Sequence, residues 1–122
     1  MDDENFKPAP PKSLISFADV DRIDVRGGTI LSVADVSGSN KLLKLTVDFG
    51  DHTRTILAGM KKEREHPQQI EGQPALFVVN LEPKKMMEEI SEGMLFDIGY
   101  ADGVQPALAV PERKVPNGTR AG

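Results

Sequence analysis

The residues of this chain that could do chemistry are mainly basic side chains gathered in short segments. Lys84 and Lys85 stand next to each other, and Lys61, Lys62 and Arg64 form a second group. Lysine and arginine neutralise phosphate groups, so two such segments on one face would form a surface for a polyanion. Spacing alone is more typical of ordinary solvated charge, and both interpretations stay open at this point.

The sequence carries no pattern that is typical of a catalytic or metal site. His52 and His66 stand alone rather than in a ligand cluster, and Ser91 lies in a Ser-Glu-Gly-Met segment that is not a nucleophile elbow. Gly27 and Gly28 lack the spacing of a phosphate loop. The chain has no cysteine, which excludes disulfide frameworks, zinc ribbons and iron–sulfur clusters. We therefore expect no enzymatic activity, no metal and no cofactor.

Length and charge limit the remaining possibilities. The 122 residues suit one domain with a modest core, and the formal net charge is −4. Residues 1–13 hold three of the nine prolines, so we expect a flexible, acidic, proline-rich tail there and one domain over residues 14–122. That domain is itself acidic, so any surface for a polyanion must be a local basic patch.

The first residues also bear on the compartment. MDDENFKPAPPK has neither the basic start nor the apolar centre of a signal peptide, and no apolar run is long enough to span a membrane. The sequence therefore predicts a cytoplasmic protein.

Hydrophobic patterning predicts a small all-β fold. Ser16 followed by Asp19 predicts a capped short helix that ends near Asp24. Alternating or continuous apolar residues then predict strands over residues 25–33, 43–49, 53–58, 74–79, 93–100 and 107–110. Residues 81–85 are predicted to be a loop because Pro83 cannot lie within a paired strand. Short strands with regular turns indicate a five-stranded barrel with short helical and C-terminal additions.

The large apolar side chains leave two interpretations open. Met86, Met87 and Met94 could form an adaptable apolar surface, or they could fill one end of the barrel. Three aromatic residues have the spacing of core positions: Phe49, Phe77 and Phe96. With so few aromatics to spare, recognition of the shape and backbone of a folded RNA suits the sequence better than stacking of single strands.

Several segments, in order along the chain, resemble the tRNA-binding domain found at the C-terminus of many methionyl-tRNA synthetases and in related free-standing proteins. They are residues 24–30 (DVRGGTI), 40–50 (NKLLKLTVDFG), 54–60 (RTILAGM), 78–86 (VVNLEPKKM), 91–95 (SEGML) and 115–119 (VPNGT). The resemblance covers residues 15–119 and implies an oligonucleotide-binding (OB) barrel, a homodimer and no catalysis.

The resemblance also implies where RNA would bind. The family's contacts are attributed to the first-strand arginine, the Asn–Lys turn and the Lys–Met–Ser–Glu loop. Carried over by position, the RNA-binding residues are expected to be Arg26, Asn40, Lys41, Lys84, Lys85, Met86, Ser91, Glu92 and Met94. Glu92 would orient lysines or accept a hydrogen bond from a base rather than touch phosphate.

The chain departs from the family pattern at several positions. Ser39-Asn40-Lys41 stands where Asn-Ala-Asp-Lys is usual, and Gly28 replaces the usual valine. Glu88 and Glu89 replace a small residue beside the expected phosphate site. Each glutamate would weaken RNA binding by on the order of 1 kcal/mol, less with added salt.

Two other functions remain compatible with the same fold. Residues 15–19 (ISFAD) resemble the opening of CsaA-type export chaperones, dimers that would bind unfolded preproteins. On that interpretation, an apolar groove would be lined by Phe17, Met86, Met87 and Met94. A scaffold that docks onto another protein through its dimer surface is the third possibility, kept open by Glu88 and Glu89.

Overall fold

The computed structural model describes residues 6–122. Its helices and strands are α1 (Phe17–Asp21), β1 (Val25–Asp35), β2 (Leu43–Asp48), β3 (Thr53–Ala58), a 3₁₀ helix (Pro67–Ile70), β4 (Pro74–Val78), β5 (Lys84–Met86), β6 (Glu89–Ser91), β7 (Met94–Leu95), β8 (Asp97–Ile98), a second 3₁₀ helix (Tyr100–Asp102), β9 (Ala107–Leu108) and β10 (Arg120–Ala121). The predicted all-β class is confirmed.

The main sheet has the order β3-β2-β1-β4-β7, with antiparallel pairing throughout, and β10 pairs with the start of β1. β3 and β7 lie at opposite ends of this order and are nevertheless in contact, so the sheet curls back on itself. β5 and β6 form a separate hairpin that packs against β3. The curled sheet with its short additions agrees with the predicted OB-type architecture.

The alternating apolar residues of β2 supply part of the hydrophobic core. Leu43, Leu45 and Val47 are completely buried, and the residues between them are only half-buried. Phe77 of β4 packs edge-on against Phe49, with ring centroids 5.4 Å apart. These two phenylalanines confirm their predicted core positions, whereas Phe96 is only half-buried.

Gly28 is required where β1 crosses the core. A Cβ at this position would lie 2.7 Å from Val47 Cγ1 and 2.9 Å from Phe49 Cε1. The missing side chain of Gly28 therefore leaves room for β2 and for Phe49.

The N-terminal part has little contact with the core. The capping box of Ser16 and Asp19 is present, but α1 ends at Asp21 rather than near Asp24 and has no buried residue. Residues 6–13 are exposed and form no helix or strand, and the Ala9 backbone N–H donates a hydrogen bond to the Asp102 carboxylate. Residues 1–5 of the predicted tail lie outside the described residues. No helix in residues 6–122 is long and apolar enough to cross a membrane.

Two local predictions were wrong. Residues 84–85 are not loop, because β5 begins directly after Pro83 and pairs Lys84 with Ser91. Residues 93–100 are not one strand: β7 pairs with β4, whereas β8 leaves that sheet to pair with β9. Tyr100 then begins the second 3₁₀ helix.

Candidate functional site

The β5–β6 hairpin borders a groove of about 510 Å³, which we call the hairpin groove. Four of the residues expected to bind RNA line it: Lys84, Met86, Ser91 and Met94. Leu57 of β3 and Leu81 form further apolar parts of its wall. The structure thus brings together residues from three short strands in a largely apolar groove that also carries two exposed charged residues, Lys84 and Glu82.

Ser91 and Glu92 hold the hairpin against the barrel. Ser91 is 3% exposed, and its Oγ accepts a hydrogen bond from the Leu57 N–H at 3.0 Å and donates one to the Gly93 carbonyl at 3.0 Å. The Glu92 N–H donates to the Thr55 carbonyl at 2.8 Å, and Glu92 Oε1 accepts from the Thr55 N–H at 3.0 Å. Ser91 and Glu92 therefore form hydrogen bonds with backbone groups of β3 and so fix the hairpin to that strand.

The tip of the hairpin lies against the turn between β1 and β2. Met87 has a positive φ of 56°, and its methyl group would lie 3.0 Å from a Cβ added at Gly38. Lys44 Nζ, on β2, lies 2.9 Å from Glu89 Oε2. These contacts place the turn that carries the expected Asn40 and Lys41 beside the hairpin.

Asn40 and Lys41 are exposed on a turn that is well anchored. Ser39 Oγ accepts hydrogen bonds from the Lys41 N–H at 3.2 Å and the Leu42 N–H at 3.0 Å. The Lys41 carbonyl accepts from the Lys61 N–H at 3.0 Å. These hydrogen bonds therefore anchor the backbone of Lys41, while its side chain is exposed.

The two glutamates that depart from the family pattern face another cleft. Glu88, Glu89 and Glu92 line it together with Thr55 and Pro83, and it shares no lining residue with the hairpin groove. Because Lys44 also pairs with Glu89, their repulsion of a ligand at Lys84 is weaker than the sequence suggested.

Arg26 lies apart from the hairpin groove. Its Nε is 3.1 Å from Asp24 Oδ1, and Arg120 Nε reaches the same oxygen at 3.1 Å. The hydrogen bond from Arg26 lowers the pKa of the Asp24 carboxyl and correspondingly raises the pKa of the Arg26 guanidinium. Arg26 lines a polar pocket of about 260 Å³ that has no lining residue in common with the hairpin groove.

Arg54 also lines this polar pocket. Its Nη1 donates to the carbonyls of Val79 and Glu92 at 2.6 and 3.2 Å, and its Nε donates to His52 Nε2 at 3.0 Å. Because His52 Nε2 accepts that bond, its Nδ1 carries the proton that faces Asp51 Oδ1 at 2.6 Å. That bond with His52 lowers the pKa of Asp51. Arg54 therefore connects β3 to the segments that follow β4 and β6, in addition to lining the pocket.

The residues expected for peptide binding do not all converge. Met86 and Met94 line the hairpin groove, and Met87 is 47% exposed at the hairpin tip. Phe17 is 90% exposed on α1, which supplies no lining residue to the groove. Lys85 is exposed but follows Lys84 on a strand, where successive side chains point to opposite faces.

Sequence reasoning missed a second group of residues around Tyr100, which is 75% exposed beside Glu63 and Asp97. Burial first, and then a hydrogen bond with Asp97, raise the pKa of the Glu63 carboxyl to about 7. Asp97 belongs to β8 and Tyr100 begins the second 3₁₀ helix, whereas Glu63 lies in the segment after β3, so no local pattern relates Glu63 to the other two.

Comparison with known sequences identifies the family. The model described as "Putative tRNA binding domain" matches residues 25–120. A methionine–tRNA ligase of Bacteroides fragilis is 34% identical over 118 residues, which are 97% of this chain and 17% of that enzyme. A second, from Nitrosomonas europaea, is 38% identical over 112 residues, which are 92% of this chain and 16% of that enzyme. The chain thus spans about one sixth of the curated relatives it matches.

Solved structures support the same assignment. A MetRS-related protein from Pyrococcus horikoshii has a TM-score of 0.82 at 31% identity, covering 91% of this chain and 100% of that one. A CsaA chaperone from Picrophilus torridus has a TM-score of 0.77 at 27% identity, covering 89% of this chain and 100% of that one. By its sequence over residues 25–120 and by its curled β-sheet, this chain belongs to the tRNA-binding domain family.

Proposed function

We propose that this chain is a non-catalytic, homodimeric module that binds tRNA or another structured RNA through its shape and phosphate backbone. The observation that supports this most is the hairpin groove, where Lys84 stands beside an apolar wall of Met86 and Met94. Lysine attracts phosphate, and the flexible thioethers adapt to sugar and base edges. Binding to tRNA would place the protein in the cytoplasm.

Local charge supports RNA binding despite the acidic total. Lys41, Lys84 and Lys85 are exposed, and within residues 6–122 no carboxylate lies within 4.0 Å of their ammonium groups. Lys44, in contrast, is neutralised by Glu89. Lys84 in the groove and Lys41 on the neighbouring turn provide a local pair of free cations, whereas Lys85 lies on the opposite face of β5. Local cations of this kind are what an acidic chain needs to bind a polyanion. Ser91 and Glu92 have a positioning role in this proposal, and Arg26 is a separate contact.

The N-terminal segment supports the homodimer. Within ten residues it exposes five large apolar side chains: Leu14, Ile15, Phe17, Val20 and Ile23. A cluster of this kind on one short helix and its flanks is typical of a protein interface, and pairing with the same cluster on a second copy would cover both.

A titration with bulk tRNA at low and at physiological salt tests the proposed function. We expect a dissociation constant in the micromolar range or tighter, with a steep dependence on salt because phosphate contacts release counterions. Absence of binding at low salt would contradict the proposal.

Preprotein binding is the second candidate, and the apolar wall of the hairpin groove favours it. Leu57, Leu81, Met86 and Met94 would accept apolar side chains of an extended peptide, and solved relatives with TM-scores of 0.76 and 0.77 are named chaperones. A competition experiment separates the two functions. An unfolded, fluorescently labelled polypeptide should bind without tRNA and be displaced by it if both use the groove.

A further inference from the structure

A second groove surrounds Tyr100, a residue that has no role in the function proposed above. It consists of two adjoining cavities of about 580 and 450 Å³ that share Gly59, Glu63 and Tyr100. Tyr100 is 75% exposed, and a Cβ at Gly59 would meet no atom within 4 Å. The Tyr100 groove therefore combines an exposed aromatic ring with open space next to Gly59.

The backbone that carries Tyr100 is held in one conformation. Gly99 and Gly103 flank it with positive φ angles of 107° and 67°, and the Val104 N–H closes the turn on the Gly99 carbonyl at 3.0 Å. Gln105 Nε2 donates to the Glu63 carbonyl at 2.5 Å, which ties this turn to the segment after β3. The ring is thus presented from a fixed base, which lowers the entropy lost when a flat ligand stacks on it.

Charge around the groove favours an anionic ligand. Lys41 and Lys62 line the larger cavity, and within the described part of the chain neither ammonium has a carboxylate within 4.0 Å. Glu63 and Asp97 both line the smaller cavity, and Glu63 Oε1 lies 3.6 Å from Arg64 Nη1. The buried Glu63 Oε1 and Asp97 Oδ1 have no hydrogen-bond partner among residues 6–122. Burial and the neighbouring Asp97 raise the pKa of Glu63 to about 7, and a proton on Glu63 reduces the negative charge beside Tyr100.

The Tyr100 groove continues into the hairpin groove. Leu57 and Met94 line both the smaller cavity and the hairpin groove. A path therefore runs from Lys84 past Met94 to Tyr100 and ends at the two lysines. Cations at both ends of a path with an exposed aromatic ring between them match the repeat of a nucleic-acid strand, in which phosphates alternate with flat bases.

We propose that the Tyr100 groove is a further subsite for one unpaired nucleotide of the bound RNA. The base stacks on the Tyr100 ring, and the flanking phosphates approach Lys41 and Lys62. The inference rests on the proposed RNA-binding function and extends it, because recognition then includes a single-stranded loop or end as well as the shape of a folded RNA.

Tyr100 is the only tyrosine of the chain, which makes a direct test possible. Protein labelled with meta-fluorotyrosine gives one fluorine resonance, and we titrate it with bulk tRNA and with a mixture of single-stranded RNA hexamers. Both ligands should shift and broaden this resonance. Tyr100→Ala should weaken tRNA binding about five- to twentyfold with an unchanged salt slope, whereas Tyr100→Phe should stay within about twofold of the parent.

The failures of the two proposals are distinguishable. If tRNA saturates the protein while the fluorine resonance does not move, or if Tyr100→Ala binds tRNA as the parent does, the subsite is wrong and the RNA-binding function stands. If tRNA does not bind, the proposed function is wrong. The hexamers then decide the subsite alone, with a shift supporting it and an unmoved resonance overturning it.

Discussion

Lys44 on β2 and Glu89 on β6 form an ion pair of 2.9 Å between the barrel and the hairpin tip. The pair connects two elements that are distant in sequence and removes one of the two negative charges that would oppose RNA near Lys84. Each partner is about one-third exposed, so the pair contributes little to stability, and its main effect is on the local charge.

Glu88 is exposed, and its repulsion of RNA should be small. Glu88→Gln should strengthen tRNA binding by about twofold at low salt and leave it unchanged at physiological salt, because Glu88 lines a cleft separate from the Lys84 groove and is screened there. Parallel titrations of the parent and the variant measure this. A tenfold gain would show that Glu88 faces the RNA phosphates directly.

The hairpin lysines should carry much of the salt dependence of RNA binding. Lys84→Ala with Lys85→Ala should weaken binding to all RNAs alike and reduce the slope of log K against log salt by about two units. The matched control is Lys12→Ala with Lys114→Ala, which removes the same charge from exposed positions away from the groove. Equal affinities in the double variant and the parent would refute the site assignment.

Ser91 should matter for stability more than for RNA contact. Ser91→Ala leaves the buried Leu57 N–H without its acceptor and should lower the free energy of unfolding by about 1–3 kcal/mol. Urea denaturation measures the loss, with Ser13→Ala at an exposed position as the control. If Ser91→Ala were as stable as the parent and had lost RNA affinity, Ser91 would be an RNA contact instead.

Glu63 should make stability fall as the pH rises through neutrality. Its pKa is raised to about 7 in the folded protein from 4.5, so the folded state binds the proton more tightly than the unfolded state. The contribution is fully present below about pH 4.5 and is lost as the pH rises through about 7, up to about 3 kcal/mol in total. The pKa values of Asp24 and Asp51 are lowered, so these groups act at more acidic pH.

Urea denaturation of the parent and of Glu63→Gln between pH 5 and 8.5 checks this pH dependence. The variant should lose most of the decline and be the more stable protein at the alkaline end. An identical decline in both proteins would mean that another group causes it.

The N-terminal apolar cluster should hold two copies together. Light scattering of the parent at micromolar concentration should give about twice the chain mass of 13.3 kDa. Phe17→Asp should give the monomer mass with unchanged thermal stability of the barrel, because Phe17 is 90% exposed and touches none of the core. A monomeric parent would contradict the homodimer.

The sequence by itself determined the elements whose signals are local. The alternation of Leu43, Leu45 and Val47 predicts both the strand and its buried face, and the capping box of Ser16 and Asp19 predicts the start of α1. Each of these patterns depends on a side chain and on residues a few positions away, and so it can be read along the chain.

Only the tertiary structure decided what the functional side chains are free to do. Ser91 and Glu92 form hydrogen bonds with the backbone of β3, Lys44 neutralises Glu89, and Tyr100 lies beside Glu63. Each relationship joins residues that lie more than thirty positions apart, through pairing and packing that no local pattern encodes. Residue type predicts which chemistry a side chain can offer, but closure of the barrel determines which groups remain available to a ligand.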